Sequence, residues 1–189
     1  MTLAAPRKRR WTQREYQKMA DAGFFRGQRV ELLRGEIIEM APQRDVHVIA
    51  VSLTEQALSK AFGDGYWVRV QAPILLGPSD EPEPDLAVVI GSQRDYIGSN
   101  NKVDPLLVVE VSDTTLTYDR SVKLGRYARG GIREYWILNL PDRKLEVYRR
   151  PVRSGSKYNY RDFETFSPQQ KVAPLAAPKH TVSVADLLP

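Results

Sequence analysis

The chain has 189 residues, enough for one domain with a core of its own, and its 42% hydrophobic content is that of a globular protein. It has no cysteine and only two histidines, His47 and His180. That excludes disulfides, thiolate metal sites and cysteine nucleophiles, and leaves carboxylates, the donors of hard cations such as Mg2+ or Mn2+, to hold any metal. The formal charge of +5 fits a polyanionic partner only weakly, and no segment reaches the ~18 apolar residues of a membrane span.

Residues 1–10 read as a flexible basic lead, with Arg7-Lys8-Arg9-Arg10 a solvated tail in preference to a DNA-gripping arm. The run leads into polar residues, so it is no signal peptide, and the expected location is the cytoplasm. Residues 11–189 are expected to form a single domain. Thr12, with Glu15 three residues on, predicts a capped helix to about Asp21, ended by Gly23. Between Arg29 and Met40, two short β-prone runs flank Arg34-Gly35 and predict a tight hairpin. Val46, Ile49, Leu53, Ala57 and Leu58 recur at helical spacing, so a helix runs from Asp45, which or whose neighbour caps it, to about Phe62, with Gly63 as its stop.

Trp67 to Leu76 reads as a strand interrupted at Pro73, followed by a proline-rich acidic stretch from Gly77 to Pro84. The runs 85–90 and 106–111 are apolar without alternation, which marks central strands buried on both faces. A loop joins them. A helix is expected from about Asp119 to Arg129, stopped by Gly130-Gly131. Strands follow at Arg133–Leu140, Lys144–Arg150 and Tyr158–Phe166, with a short one near Val182–Val184. The fold class is α/β, with α+β as the alternative: a mixed central sheet with hairpins at its margins and helices on its faces.

The chemically informative feature is a carboxylate in each of two buried strands. Glu110 interrupts an apolar run, where an ionised side chain is costly unless paired or metal-bound. Asp85 opens the other run. Either alone is as well explained by an exposed strand end; together they suggest two carboxylates at neighbouring strand ends, able to seat a hard cation. Lys123 lies early in the next helix, and helical side chains lean toward the N-terminus, so its amine can reach back to the Glu110 end. Taken alone, Lys123 reads as a surface lysine, and its spacing from Asp119 equally permits an i,i+4 salt bridge. His47 reads as a surface or helix-capping histidine, with contact to phosphate or metal-bound water as the alternative. Trp136 reads as core.

Glu83-Pro-Asp85-Leu-Ala-Val-Val, Leu107-Val-Val-Glu110-Val-Ser112 and Tyr118-Asp119-Arg120-Ser-Val-Lys123 through Tyr135-Trp136-Ile, in that order, resemble the Uma family. So do Val30-Glu31-Leu-Leu-Arg-Gly35-Glu36-Ile and His47. The resemblance covers roughly residues 12 to 150. The family is catalogued as endonuclease-like domains of unknown function in the PD-(D/E)XK restriction-endonuclease-like superfamily. The resemblance implies a three-layer fold around a mixed sheet and a site taking Mg2+ or Mn2+. Asp85 matches the aspartate of the proline–aspartate motif, Glu110 the second acid and Glu31 an additional N-terminal acid. The usual lysine position, two residues after the second acid, is Ser112 here, and Lys123 on the following helix stands in for it.

The scheme this implies is a DNA endonuclease. Asp85 and Glu110 hold metal, Glu31 shares, Lys123 positions the nucleophile, and Arg120, Arg126 and Arg129 meet phosphates. The alternatives are a catalytically silent nuclease fold serving as a DNA-binding or protein-interaction module, and a hydrolase for another phosphorylated substrate. A homodimer is plausible because double-strand cleavage needs two sites, but no residue marks its interface.

Overall fold

The computed structural model describes residues 7–189. Residues 1–6 of the basic lead therefore lie outside the described residues. In the rest of it, Arg9 pairs with Glu15 and Arg10 with Glu36, each at 2.5 Å. Helix α1 (Gln13–Asp21) carries the predicted capping box between Thr12 and Glu15. Strands β1 (Val30–Leu33) and β2 (Glu36–Glu39) form the expected hairpin. Its turn residues Arg34 and Gly35 both have positive φ, 55° and 70°, the geometry whose twist matches that of paired strands. A Cβ on residue 35 would also lie 2.8 Å from Trp11 O, so two constraints converge on glycine.

Helix α2 (Asp45–Phe62) buries Ala50, Val51, Leu58, Ala61 and Phe62. Its capping position is held by Arg44, with no side-chain cap bond. Asp45 sits instead in the first turn, where its charge suits the helix dipole.

One six-stranded sheet follows chain order: β3 (Tyr66–Val70), β4 (Leu86–Ile90), β5 (Leu107–Ser112), β6 (Glu134–Asn139), β7 (Lys144–Ser154) and β8 (Lys157–Phe166). Only β5 and β6 are parallel; the other neighbours are antiparallel. A parallel pair needs a crossover, and a helical run supplies it on one face of the sheet, over a core that includes Tyr127, Tyr135 and Ile137. The opposite face is covered by α2 and the C-terminal segment with β9 (Lys171–Val172) and β10 (Val182–Ser183). This is the expected mixed sheet between helical layers, and Trp136 is fully buried in it.

Three elements depart from expectation. The strand predicted to Leu76 ends at Val70, where Gln71 turns to φ 46°. The helix predicted from Asp119 starts at Leu116 and is not uniform. It consists of α3 (Leu116–Tyr118), a π turn (Asp119–Lys123) and α4 (Leu124–Arg129), with the Leu124 N–H reaching back five residues to Asp119 O. Single π turns of this kind concentrate at functional sites. Finally, β7 continues past the predicted Arg150 to Ser154 and β8 begins at Lys157. Pairing with β6 ends at Glu134–Arg149, so the distal part is a two-stranded ribbon. With one side of β7 free there, the donor missing at Pro151 is tolerated.

Candidate active site

The β4–β5 ladder pairs Leu86 with Val109, which brings Asp85 and Glu110 opposite one another at the next rung. Past that ladder the Val111 N–H donates to Asp85 Oδ2 at 2.8 Å. The first turn of α2 brings His47 Nε2 to 3.2 Å from the same oxygen, so this histidine faces the site rather than solvent. The hairpin contributes Glu31, buried, whose Oε2 accepts the Glu83 N–H at 3.2 Å. These groups line a cleft of about 350 Å³ between the hairpin, the start of α2 and the start of the helical run.

Lys123 is buried and extends from the π turn onto the strand carboxylates. Its Nζ donates to Glu110 Oε1 at 2.9 Å and lies 3.5 Å from Glu31 Oε2. Tyr127, one turn on, donates to the same Glu110 oxygen at 2.5 Å. The Asp119–Lys123 bridge permitted by sequence spacing is not among the ion pairs of the described residues. Asp119 Oδ2 instead accepts from Ser112 Oγ at 2.7 Å and Thr115 Oγ1 at 2.6 Å. The residue in the usual lysine position thus anchors the turn that carries the lysine.

Four carboxylates, those of Glu31, Asp85, Glu110 and Asp119, surround one ammonium. Burial alone would lower the Lys123 pKa, but Glu110, Glu31 and Asp119 overcome this and keep it charged. One lysine cannot serve every acid. Burial pushes Glu110 well above the usual carboxylate range, Lys123 pulling the other way and Asp85 and Asp119 adding to the rise. Glu31 and Asp119 are raised by burial in the same manner. Asp85 differs: burial works to raise it, but the His47 contact, the Val111 N–H and Lys123 hold it below the aspartate norm. Tyr118, pushed up to about 12 by burial and then by Glu31, lines the cleft with a hydroxyl that has no hydrogen-bond partner among the described residues.

The surplus of negative charge suits a divalent cation. Among the described residues no three acidic or histidine side chains form a closed ligand cage. Asp85 and Glu110, however, each keep an oxygen with little protein competition. Asp85 Oδ1 has only Gln71 Nε2 at 3.5 Å. Glu110, which lines the cleft, receives both of its donors on Oε1, and Oε2 has no hydrogen bond among the described residues. One or two carboxylates, with water and substrate phosphate completing the shell, is how Mg2+ is usually bound, so the donor set fits such an ion.

Asp85, Glu110, Lys123 and Glu31 thus come together; the three arginines expected on phosphate do not join them. Arg120 forms a two-pronged pair with the buried Glu146. Arg126 lies 3.5 Å from Asp80, and Arg129 sits 6.0 Å over the Tyr158 ring. Arg126 and Arg129 belong to the part of the helical run beyond the cleft, whereas Arg120 lies in the π turn between the cleft-lining Asp119 and Lys123 but is turned onto Glu146 of β7. The arginines that do line the cleft are Arg29, paired with Glu83, and Arg44, paired with Asp113. Sequence reasoning missed these two and the role of Tyr127. The i+4 spacing from Lys123 was the available signal for Tyr127.

The model of the Uma2 family, described as "Putative restriction endonuclease", matches residues 13–185. A crystal structure described as that of "a putative nuclease belonging to DUF820" from Anabaena variabilis ATCC 29413 is similar over 93% of this chain and 96% of that one, with TM-score 0.65 and 18% identity. No curated protein matches the chain in sequence.

Proposed function

The chain belongs to the Uma2 family, and on that premise we propose that it is a metal-dependent endonuclease hydrolysing phosphodiester bonds of DNA. The observation that carries the reading is the facing pair Asp85 and Glu110, each with an oxygen left to the cleft, beside a buried and charged Lys123. Mg2+ or Mn2+ held there would lower the pKa of a bound water and screen the scissile phosphate. Lys123 Nζ has donors to spare beyond Glu110, and one of them orients the attacking water or meets a non-bridging phosphate oxygen as charge builds on it. Tyr127 and Lys123 together fix Glu110 Oε1, so the other oxygen faces the cleft in one orientation. His47 and the Val111 N–H do the same for Asp85. Glu31 keeps Lys123 from swinging onto Glu110 alone.

A silent module is the second reading, and what favours it is that Lys123 and Tyr127 already stabilise the buried Glu110 by direct hydrogen bonds. Titration calorimetry with Mn2+ separates the two. Binding by the wild type that is lost in Asp85→Ala and Glu110→Ala, with metal-dependent cutting of duplex DNA, supports the endonuclease. Absence of binding and cutting by folded wild type, with DNA present, sinks it.

A further inference from the structure

The charge of this protein is distributed unevenly. The segment 149–161 holds Arg149, Arg150, Arg153, Lys157 and Arg161 and no acid, and Arg129 and Arg133 lie next to it in the fold. With the N-terminal basic run, these residues carry more positive charge than the net +5 of the whole chain, so the remainder is net negative. The cleft belongs to that remainder. Six carboxylates line it against three cations, and its Arg29 and Arg44 are committed to Glu83 and Asp113. A site of that sign does not hold a polyanion at a distance; another surface must do so.

In ribbon 149–161 Arg149 and Arg150 pair with Glu134 and Asp162, but the other cations of this surface differ from those of the basic N-terminus. Arg9 and Arg10 have carboxylate partners. Within the described residues Arg129, Arg133, Arg153, Lys157 and Arg161 form no ion pair, and all five are exposed. Arg129 and Arg153 lie 6.0 and 5.8 Å over the Tyr158 ring, which places their guanidinium groups without neutralising them. The ribbon is a regular two-stranded ladder from Pro151–Tyr160 to Ser154–Lys157, and its inner side, with Tyr160 buried, joins the core under α4. Its cations are therefore carried on a fixed element.

Resting on the endonuclease reading and deepening it, we infer that this ribbon, with Arg129 and Arg133, is a docking surface for the phosphate backbone of duplex nucleic acid. The sheet sets its distance from the chemistry. Glu110 is level with Ile137 on β6 and Glu146 on β7, and Arg153 is seven residues further along β7, about 23 Å at ~3.3 Å per residue. The helical run from Leu116, which follows the cleft-lining Thr115, to Arg129 at the ribbon has a comparable length, about 21 Å at ~1.5 Å per residue. At roughly 3.4 Å per base pair, the ribbon grips the polymer about seven base pairs from the bond presented to Lys123. The protein makes a long-range electrostatic hold at one end and places chemistry at the other.

Binding of a fluorescent duplex of about 30 base pairs, followed by anisotropy in EDTA over roughly 50–200 mM salt, tests this. The triple variant Arg153→Ala, Lys157→Ala, Arg161→Ala should bind at least about tenfold more weakly. Its slope of log affinity against log salt should be shallower by about 2.7, at ~0.9 per lost phosphate contact. Arg153→Lys with Arg161→Lys should keep the wild-type slope. Metal-dependent hydrolysis of bis(p-nitrophenyl) phosphate, too short to reach the ribbon, should be unchanged in the triple variant. An unaltered slope overturns the inference, as does ribbon-dependent binding of phosphatidylserine vesicles without binding of duplex. Ribbon-dependent duplex binding with no cutting in any metal would uphold the surface and sink the endonuclease reading, so the two fail separately.

Discussion

Glu110 and Glu134 are buried glutamates on the two neighbouring parallel strands, 3% and 0% exposed, yet their surroundings differ. Glu134 is saturated. Oε1 accepts from Trp136 Nε1 at 3.0 Å and Arg149 Nε at 2.8 Å, and Oε2 accepts the Leu175 N–H at 2.7 Å. It ties the C-terminal segment to the sheet. Glu110 accepts two donors on one oxygen and leaves the other to the cleft. Burial of a charge therefore does not by itself mark a site. What distinguishes the pair is the lone pairs that folding left open on one and closed on the other.

That contrast breaks most visibly at its structural end. Glu134→Ala leaves the half-buried Arg149 with only its bond to Ala173 O, strips Trp136 Nε1 and the Leu175 N–H of their acceptor, and should cost about 3–5 kcal/mol. At ~2–4 °C per kcal/mol for a chain of this size, the melting temperature should fall by roughly 10 °C in differential scanning calorimetry. Activity per folded molecule should stay at the wild-type value, and a selective loss of activity would erase the distinction. Lys123→Ala should do the reverse to catalysis. It should lower the cleavage rate about 10²–10³-fold, the effect of removing one preorganised donor, while Mn2+ still binds in calorimetry. Full activity in this variant would remove Lys123 from the site.

The pH dependence of stability sharpens the same comparison by a smaller amount. Glu31, Glu110 and Asp119 are raised by burial. Between the ordinary carboxylate pKa of the unfolded chain and these raised folded values, the folded protein holds more protons than the unfolded chain, so stability falls as pH rises. Asp85, held low against burial chiefly by His47, acts oppositely: its contribution is present above the ordinary aspartate pKa and is lost as pH falls through its folded value. Thermal scans of chelated protein should show a decline of a few degrees toward neutral pH. Saturating Mn2+ should flatten that decline, and Glu110→Gln should flatten it without metal. The smallest effect is expected for Tyr127→Phe. Losing one hydrogen bond to Glu110 should cost about 1 kcal/mol and push the Glu110 pKa up further, seen as a shift of the acid limb of the pH–rate profile to higher pH.

Several parts of this arrangement were legible in the chain. The capping box at Thr12 and the Arg34-Gly35 turn depend on local bonds and dihedrals, and both formed where the residues placed them. The unalternating runs around Val88 and Val109 marked central strands because a strand covered on both faces has no polar side. Asp85 and Glu110 stood out as acids at the ends of such strands. The roles of Arg120 and His47 were not legible. Arg120 is exposed enough to look free, and only the β6–β7 pairing brings Glu146 to it. His47 sits among exposed residues at a helix start, and its direction depends on where α2 crosses the end of β4. The ribbon was hidden because Pro151 punctuates the sequence while the sheet leaves that position unpaired on one side.

Sequence alone determined most of the local elements, the buried strands and the family likeness, and through that likeness it named the acids and lysine that meet in the cleft, since these depend on periodicity, turn chemistry and residue type. Tertiary structure alone decided which charges are satisfied. Lys123 serves Glu110 and Glu31 rather than Asp119, Arg120 serves Glu146, and Arg153, Lys157 and Arg161 of the ribbon serve no carboxylate among the described residues. The physical reason is that a buried charge is stabilised by whatever opposite charge lies within a few ångströms, and distances that short are set by strand register and helix placement, not by spacing along the chain.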